Sequence, residues 1–400
     1  MQGDDEMELK NAVIVAYGRS AIAKAIKGSL RYTGCVDYAS QVLKGILEKY
    51  PEFDPALAED LICGCAIPEA EQGLNLGRLV ADSSGFPLTT AGQTVNRFCS
   101  SGLQAIATAA NAIMAGQAKC IVAGGVENMS KVQMHRVAII PDSASFGSYP
   151  DNFDTMGITA ENVAAKFGIS RQRQDEFSCR SHMRAAKAIA EGKFKNEIIP
   201  VKAKVPAKNE DGTPGYKEII FDTDECVRAD TTVEGLGKLK PLFRAGGCVT
   251  AGNSSQMNDA AAFVILMEEE FAREHGMTPI ARFVSYAVKG VHPGFMGEGP
   301  IAAIPKALEI AGLTLDDIEL IELNEAFASQ SLACIDTLGL NEDKVNVNGG
   351  GIAFGHPLGC TGAYLTIKLV EELKRRGQKR GLVSMCIGGG MGAAGIFELV

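Results

Sequence analysis

Short runs of apolar residues alternate with longer amphipathic stretches from the start of the chain. The runs predict strands because they are rich in Val and Ile and end at Gly, Pro or polar residues. The longer stretches carry apolar residues at helical spacing and predict helices. Residues 96–116 differ, since every side of a helix there would be small or apolar, which predicts a buried helix. The predicted order is strand NAVIVAYGRS, helix DYASQVLKGILEKY, strand DLICGCAIP, the buried helix and strand AKCIVAGGVENMS.

The C-terminal part of the chain repeats this order. The stretch LTLDDIELIELNEAFASQSLACIDTLGL predicts a strand followed by a helix. Further on, GCTGAYLTIKLVEEL before GLVSMC resembles CSSGLQAIATAANAI before CIVAGG, each being a small-residue turn, a helix and a strand. This similarity indicates an internal duplication. Strands that alternate with helices favour an α/β fold with a parallel or mixed sheet covered on both faces.

The middle of the chain has a different texture. RQRQDEFSCRSHMRAAKAIAEGKF predicts a charged amphipathic helix, and KAKVPAKNEDGTPGYKE predicts a polar loop marked by Pro and Gly. The small and apolar residues typical of a buried segment return after position 250. We therefore expect an inserted lobe over residues 128–250, a first half made of residues 1–127 with 251–278, and a second half over residues 279–400.

Composition narrows the function classes. The chain has 400 residues, 46% of them hydrophobic, and a formal charge of −9, which disfavours nucleic-acid binding. No apolar run is long enough to span a bilayer. The acidic start MQGDDEMELK lacks the layout of a signal or transit peptide, and a cytoplasmic location is therefore expected. The 11 cysteines form no framework and should be reduced, and the five histidines share no ligand spacing, so no metal site is expected.

Two reactive side chains stand at the predicted starts of helices. Cys99 precedes the buried helix, whose dipole and free N–H groups favour a thiolate, although a buried structural cysteine fits that stretch alone equally well. His356 lies in NGGGIAFGHPLGCTGA, where glycines allow a ligand to approach closely. An imidazole there could deprotonate a thiol. A histidine with only a hydrogen-bonding role is the alternative.

Two further stretches combine a polar group with a turn. Cys386 ends an apolar strand before the glycine turn IGGGMG, whose N–H groups can face an anion. A core cysteine beside a tight hairpin is the alternative. Asn324 and Glu325 lie between a predicted strand and helix, where residues that cap a helix occur. An asparagine there could instead hold a water or a carbonyl oxygen.

In order and spacing, NRFCSSGLQA, NEAFA, GHPLGCTGA and CIGGGMGAA match the signature regions of the thiolase family, and nearly the whole chain resembles a thiolase. The resemblance implies a five-layered αβαβα fold of two duplicated halves with a loop domain inserted in the first. It also implies ping-pong acyl transfer. Cys99 would be the acylated nucleophile, His356 its base and Cys386 the acid/base for the second substrate. Asn324 would hold a water that forms one oxyanion hole with His356, and the N–H groups of Cys99 and Gly388 would form the other.

The resemblance further implies the substrates and partners. Coenzyme A would be a substrate, with no bound cofactor. Its binding would involve the inserted domain, with Arg228 stacking on the adenine and Ser255 touching the pantetheine. The acyl group would lie near Met156, Met296 and Phe327. A homodimer or homotetramer is expected, as is a possible partner in a β-oxidation multienzyme assembly.

The motifs CSSGLQA, GHPLGCTGA and RADTTVEGL resemble those of degradative thiolases. They favour a 3-ketoacyl-CoA thiolase, with a biosynthetic acetoacetyl-CoA thiolase as the alternative. A non-catalytic thiolase-like lipid-binding protein is disfavoured because Cys99, His356 and Cys386 are all present. A decarboxylating ketoacyl synthase would carry His or Asn in place of Cys386.

Overall fold

A computed structural model describes residues 9–136 and 140–400 of the chain. The acidic start at positions 1–8, on which the expectation about a signal peptide rests, lies outside the described residues. The strands are β1 (Ala12–Arg19), β2 (Ala23–Lys24), β3 (Asp60–Gly64), β4 (Ala91–Val95), β5 (Cys120–Asn128), β6 (Val201–Lys208), β7 (Pro214–Phe221), β8 (Asn258–Glu268), β9 (Ala281–Gly290), β10 (Leu320–Leu323), β11 (Arg380–Ile387) and β12 (Met391–Leu399).

The helices occupy the stretches between these strands. They are α1 (Cys35–Lys49), α2 (Leu76–Ser83), α3 (Ser101–Met114), α4 (Ser143–Ser148), α5 (Met156–Phe167), α6 (Arg171–Ala190), α7 (Val233–Gly237), α8 (Glu269–Glu274), α9 (Gly299–Ala311), α10 (Ala328–Leu338), α11 (Gly351–Phe354) and α12 (Leu358–Arg376). Among the described residues, no helix is long and apolar enough to cross a bilayer.

The sheet consists of two halves with the same strand order. In the first, β4, β3 and β5 are parallel and β8 lies antiparallel between β5 and β1. In the second, a parallel bridge at Val345 takes the place of β4, followed by β10, β11, β12 and β9 in the same orientations. Strands β1 and β9 join the halves antiparallel, through Val13 with Arg282 and Ile14 with Ala281. The predicted duplication is therefore confirmed.

Three apolar clusters correspond to three layers of helices. The central cluster unites α3 and α12 with the inner faces of both sheet halves. One outer cluster packs α1 and α2 on the first half, and the other packs α9 and α10 on the second. Strand β5 shows the alternation that two covered faces require, since Ile121 and Ala123 belong to the central cluster while Val122 belongs to an outer one. The five-layered αβαβα prediction is confirmed.

Helices α3 and α12 touch through glycines near their first turns. A Cβ atom on Gly102 would lie 2.7 Å from the Gly359 carbonyl oxygen, and one on Gly362 would overlap the backbone of Leu103. Only glycine permits this backbone approach. The close contact brings the N-termini of the two helices together, one from each half of the molecule.

The segment between β5 and β8 contains α4 to α7 and one hairpin. The prediction of a polar loop over KAKVPAKNEDGTPGYKE is wrong, because β6 and β7 pair along their whole length. The alternation of Val201, Ala203 and Val205 with lysines is the signal for a strand with one buried face, and the Pro and Gly residues obscured it. The boundaries 1–127 with 251–278, 128–250 and 279–400 stay predictions.

Candidate active site

Cys99 lies in a short turn that feeds into α3. The turn, Phe98–Ser100, is a single 3₁₀ turn, and Phe98 adopts a positive φ of 42°, a conformation that costs a non-glycine residue energy. The Cys99 side chain is 6% exposed. No side chain caps the start of α3. The 3₁₀ turn supplies backbone acceptors instead, since the Ser100 N–H donates to the Arg97 carbonyl at 3.0 Å and the Ser101 N–H donates to the Phe98 carbonyl.

The backbone N–H groups of Gly388 and of Cys99 itself lie near the Cys99 sulfur and lower the pKa of its thiol. Burial nevertheless raises the pKa of the Cys99 thiol to about 11, and these two N–H groups only reduce the rise. The expectation that the start of this helix favours a thiolate stays a prediction: the two N–H groups lower the pKa of the thiol, but removing the sulfur from water raises it by more. A base is needed to form the thiolate.

His356 lies between α11 and α12 and is held by its backbone and by its ring. Its N–H lies 3.0 Å from the Gln256 carbonyl and 2.9 Å from Asn258 Oδ1. Its ring contacts Thr361 Oγ1 through Nδ1 at 2.6 Å and Asn324 Nδ2 through Nε2 at 3.3 Å. Burial lowers the pKa of His356 to about 3, so the imidazole is neutral. With Asn324 donating to Nε2, this nitrogen carries the lone pair that a base requires.

Asn324 follows β10 directly and is fully buried. Its N–H donates to the Ser384 carbonyl at 2.9 Å, which ties it to β11. Its Oδ1 has no hydrogen-bond partner among the described residues. Buried polar atoms normally have a hydrogen-bond partner, which is often a water molecule. Asn324 Oδ1 is therefore placed to accept from a solvent molecule or a substrate. The capping alternative is wrong for Asn324, because α10 begins only at Ala328 and Phe327 is its N-cap.

Cys386 lies near the end of β11 and is fully buried. Burial raises the pKa of the Cys386 thiol far above its usual range, and the nearby Cys99 thiol raises it further. Gly388 follows in the turn between β11 and β12, where a Cβ atom would lie 3.6 Å from Met156 Sδ and 3.8 Å from Phe98 Cδ2. The structure thus brings both thiols, the Gly388 N–H and one predicted acyl-pocket residue together.

One apolar cluster surrounds Cys386. It contains Met296 and Phe327, both buried, with Met156 packed against it. Phe243 crosses Phe327 edge-to-face, with ring centroids 6.3 Å apart. The three predicted acyl-pocket residues therefore lie together beside a candidate catalytic thiol, and Phe243 is an addition that the sequence analysis did not identify.

Of the two predicted CoA contacts, Ser255 borders this cluster and Arg228 lies on a different segment. Arg228 is exposed on an irregular segment, and its N–H donates to His182 Nδ1 at 3.2 Å. Ser255 is half-buried, and its N–H donates to the Ala326 carbonyl at 2.9 Å, next to Phe327. The two segments meet where Gln256 Nε2 donates to the Cys226 carbonyl at 3.3 Å.

Sequence reasoning missed the side chains that hold these loops in place. Glu127 accepts N–H groups from Ala66 and Gly359 at 2.8 and 2.7 Å and is fully buried. Glu325 accepts from Ser181 Oγ at 2.6 Å. The Ser181 hydroxyl in turn accepts the Gly350 N–H at 3.0 Å. Only long-range contacts assign these roles, since Glu127 and Gly359 are 232 positions apart.

Comparison with known proteins shows the family to which the chain belongs. Two family models match, "Thiolase, N-terminal domain" over residues 12–270 and "Thiolase, C-terminal domain" over residues 277–399. The chain belongs to the thiolase family. It is an acyltransferase enzyme, and the resemblance inferred from the motifs is confirmed. Among the described residues, no group of three or more His, Cys, Asp or Glu side chains could hold a metal ion.

Its relatives carry two kinds of thiolase name. The chain is 52% identical to 3-ketoacyl-CoA thiolase of Bacillus subtilis (strain 168), over 98% of the chain and 100% of that protein. It is 45% identical to peroxisomal 3-ketoacyl-CoA thiolase 2 of Arabidopsis thaliana, over 100% of the chain and 85% of that protein. The crystal structure of the Bacillus anthracis acetyl-CoA acetyltransferase matches with a TM-score of 0.88 and 41% identity, over 99% of this chain and 100% of that one.

Proposed function

We propose that the protein is a 3-ketoacyl-CoA thiolase, which cleaves a 3-ketoacyl-CoA with CoA to acetyl-CoA and a shortened acyl-CoA. One arrangement carries the proposal: the Cys99 and Cys386 thiols lie near each other and near the Gly388 N–H, and Asn324, which contacts His356 at 3.3 Å, is hydrogen-bonded to Ser384 on the strand that carries Cys386. Full-length relatives with this name support the substrate class.

The first half-reaction needs a base because, at rest, the Cys99 thiol is protonated and the His356 imidazole is neutral. His356 Nε2 takes the Cys99 proton, and the thiolate attacks the 3-keto carbon. The bond between carbons 2 and 3 then breaks, and the acyl group stays on Cys99 as a thioester. The electron pair moves onto the acetyl-CoA part as an enolate, which takes a proton at carbon 2 from Cys386. A thiol with a raised pKa suits this role because it is protonated at neutral pH.

Oxyanions form at two places. The oxygen of the tetrahedral intermediate on Cys99 would accept from the N–H groups of Cys99 and Gly388, which lower the pKa of the thiol in the resting enzyme. The enolate oxygen would accept from protonated His356 and from a water held by Asn324. Removing one such donor typically costs about 3 kcal/mol of activation free energy.

The second half-reaction reverses these roles. CoA enters, loses its thiol proton to Cys386 and takes the acyl group from Cys99, which regains its proton from His356. Two half-reactions that share a covalent intermediate give ping-pong kinetics. Arg228, in the lobe proposed for residues 128–250, would bind the adenine, and Ser255, in the segment that follows this lobe, would bind the pantetheine.

Acyl-chain length separates this proposal from acetoacetyl-CoA thiolase, which the name of the Bacillus anthracis neighbour favours. Met156, Met296 and Phe327 would contact the chain, and flexible methionines can move aside for a longer one. Each buried methylene is worth about 0.8 kcal/mol, or roughly fourfold in kcat/KM. Steady-state thiolysis of 3-ketobutyryl-, 3-ketohexanoyl-, 3-ketooctanoyl- and 3-ketodecanoyl-CoA should therefore show a rising kcat/KM. Activity confined to the 3-ketobutyryl substrate would promote the alternative.

A homodimer or homotetramer is part of the proposal. Strand β4 is the last strand at one end of the sheet, and Leu74 and Leu88 near it are 91% and 83% exposed. An exposed strand edge flanked by apolar side chains favours pairing with a second copy. A β-oxidation multienzyme partner and a cytoplasmic location stay predictions, and the Arabidopsis thaliana relative is named peroxisomal.

A further inference from the structure

One face of α6 anchors the segment that carries Arg228. Cys179 and His182 are three positions apart and so share a face of the helix. The Cys179 thiol donates to the Thr231 carbonyl at 3.4 Å, and His182 Nδ1 accepts the Arg228 N–H at 3.2 Å. Residues 222–232 contain no strand or helix, so these contacts supply hydrogen bonds that regular structure would otherwise provide.

His182 meets the requirements for a fixed acceptor. The ring is 5% exposed, which limits its rotation. It accepts at Nδ1 only when it is unprotonated there. Burial, followed by the nearby Arg228 charge, lowers the pKa of His182 to about 4, so the ring stays neutral at physiological pH.

The neighbouring residue on α6 serves a different part of the site. Ser181 Oγ donates to Glu325 Oε2 at 2.6 Å and accepts the Gly350 N–H at 3.0 Å. Glu325 follows Asn324 directly, and Gly350 lies in the glycine loop that precedes His356. Helix α6 therefore contacts the Arg228 segment through His182 and the catalytic loops through Ser181.

We infer that His182 is a positioning residue for the nucleotide end of CoA: by holding the Arg228 main chain, it fixes where the guanidinium lies over the adenine. The inference rests on the proposed function of Arg228. Binding orders a long cationic side chain at a cost in conformational entropy. A main chain that is already fixed avoids the further cost of ordering the backbone. His182 would act on recognition of the nucleotide and not on the reacting atoms.

The test compares CoA with pantetheine, which has the same thiol arm but no nucleotide, as the acyl acceptor. In a ping-pong reaction, kcat/KM for the acceptor reports only the second half-reaction, so the ratio of the two kcat/KM values isolates nucleotide recognition. His182→Leu removes the acceptor. His182→Asn keeps an acceptor oxygen where Nδ1 lies. Arg228→Ala sets the largest fall in the ratio, and Ser181→Ala is the matched control on the same helix.

We expect His182→Leu to lower the CoA-to-pantetheine ratio between about twofold and tenfold, the range for loss of one hydrogen bond. The fall should not exceed that of Arg228→Ala, and His182→Asn should restore most of the ratio. Ser181→Ala should lower both kcat/KM values together and leave the ratio unchanged, as a general folding defect would.

The outcomes distinguish a failure of the proposed function from a failure of the role inferred for His182. A wild-type protein that does not use CoA to cleave any 3-ketoacyl-CoA overturns the proposed function itself. An unchanged ratio in Arg228→Ala overturns the adenine contact and, with it, the inference. A lower ratio in Arg228→Ala with a wild-type ratio in His182→Leu overturns the inference alone.

Discussion

The starts of α3 and α12 occupy corresponding places in the two halves of the molecule but have different environments. Cys99 stands two positions before α3, and His356 stands two positions before α12. Each helix start contacts a strand of the opposite half. In both cases this strand has a parallel neighbour on one side and an antiparallel neighbour on the other. At α12 this strand is β5, whose Glu127 accepts the Gly359 N–H at 2.7 Å. At α3 it is β11, which ends in Cys386 and the Gly388 turn.

The two helix starts differ in the groups that lie near their backbone N–H donors. The start of α12 is closed, because a buried carboxyl group accepts its N–H and also that of Ala66. Near the start of α3, the N–H groups of Cys99 and Gly388 lie beside the Cys99 thiol and not beside a carboxyl group. N–H groups placed beside a reacting sulfur can donate to an oxyanion that forms there during the reaction. We therefore propose that the same backbone arrangement gives one structural helix start, at α12, and one reactive helix start, at α3.

Among the substitutions that test this difference between the two helix starts, Cys386→Ala should have the largest effect on turnover. Without the thiol that protonates the enolate, kcat for thiolysis should fall roughly 10²- to 10⁴-fold, the usual contribution of general acid–base catalysis. Cys334→Ala is the matched control, since Cys334 is also fully buried and lies near Cys386. Its kcat should stay close to that of the wild type. Equal losses in both variants would mean that Cys386 acts only through packing.

Glu127→Gln tests the closed helix start. Three N–H donors, from Ala66, Gly359 and the Gln72 side chain, point at the Glu127 carboxyl group, and a glutamine NH₂ would face one of them. The free energy of unfolding should fall by about 1–3 kcal/mol. The chain has no tryptophan, so urea unfolding is best followed by circular dichroism. Wild-type stability combined with a loss of turnover as large as that of Cys386→Ala would contradict a structural role.

The pH dependence of Cys99 alkylation tests the protonation state of the thiol near the start of α3. A pKa near 11 means that the thiolate fraction rises about tenfold per pH unit across pH 7 to 9, and the rate of reaction with iodoacetamide should follow it. The Cys99 peptide must be quantified separately, because Cys179 and Cys248 are half-exposed. A rate that is already constant at pH 7 would indicate a preformed thiolate–imidazolium pair.

Local motifs indicate the candidate reactive residues but not the side chains that hold them in place. Cys99, His356 and Cys386 stand beside glycines and helix starts, and these features are visible in short stretches of sequence. Glu127 and His182 act on partners 232 and 46 positions away, and no local pattern marks such contacts. The missed β6–β7 hairpin has another cause, since its turn residues masked an alternation that was present.

Identification of the acylated residue tests the central claim that the start of α3 is the reactive one. The protein is incubated with 3-ketobutyryl-CoA in the absence of CoA, quenched in acid and digested, and each cysteine peptide is weighed by mass spectrometry. The account predicts an added acetyl group on the Cys99 peptide, removed when CoA is supplied, and no acetylated peptide in Cys99→Ala. Acetyl on any other cysteine, or a Cys99 peptide that stays unmodified while thiolysis proceeds, would contradict it.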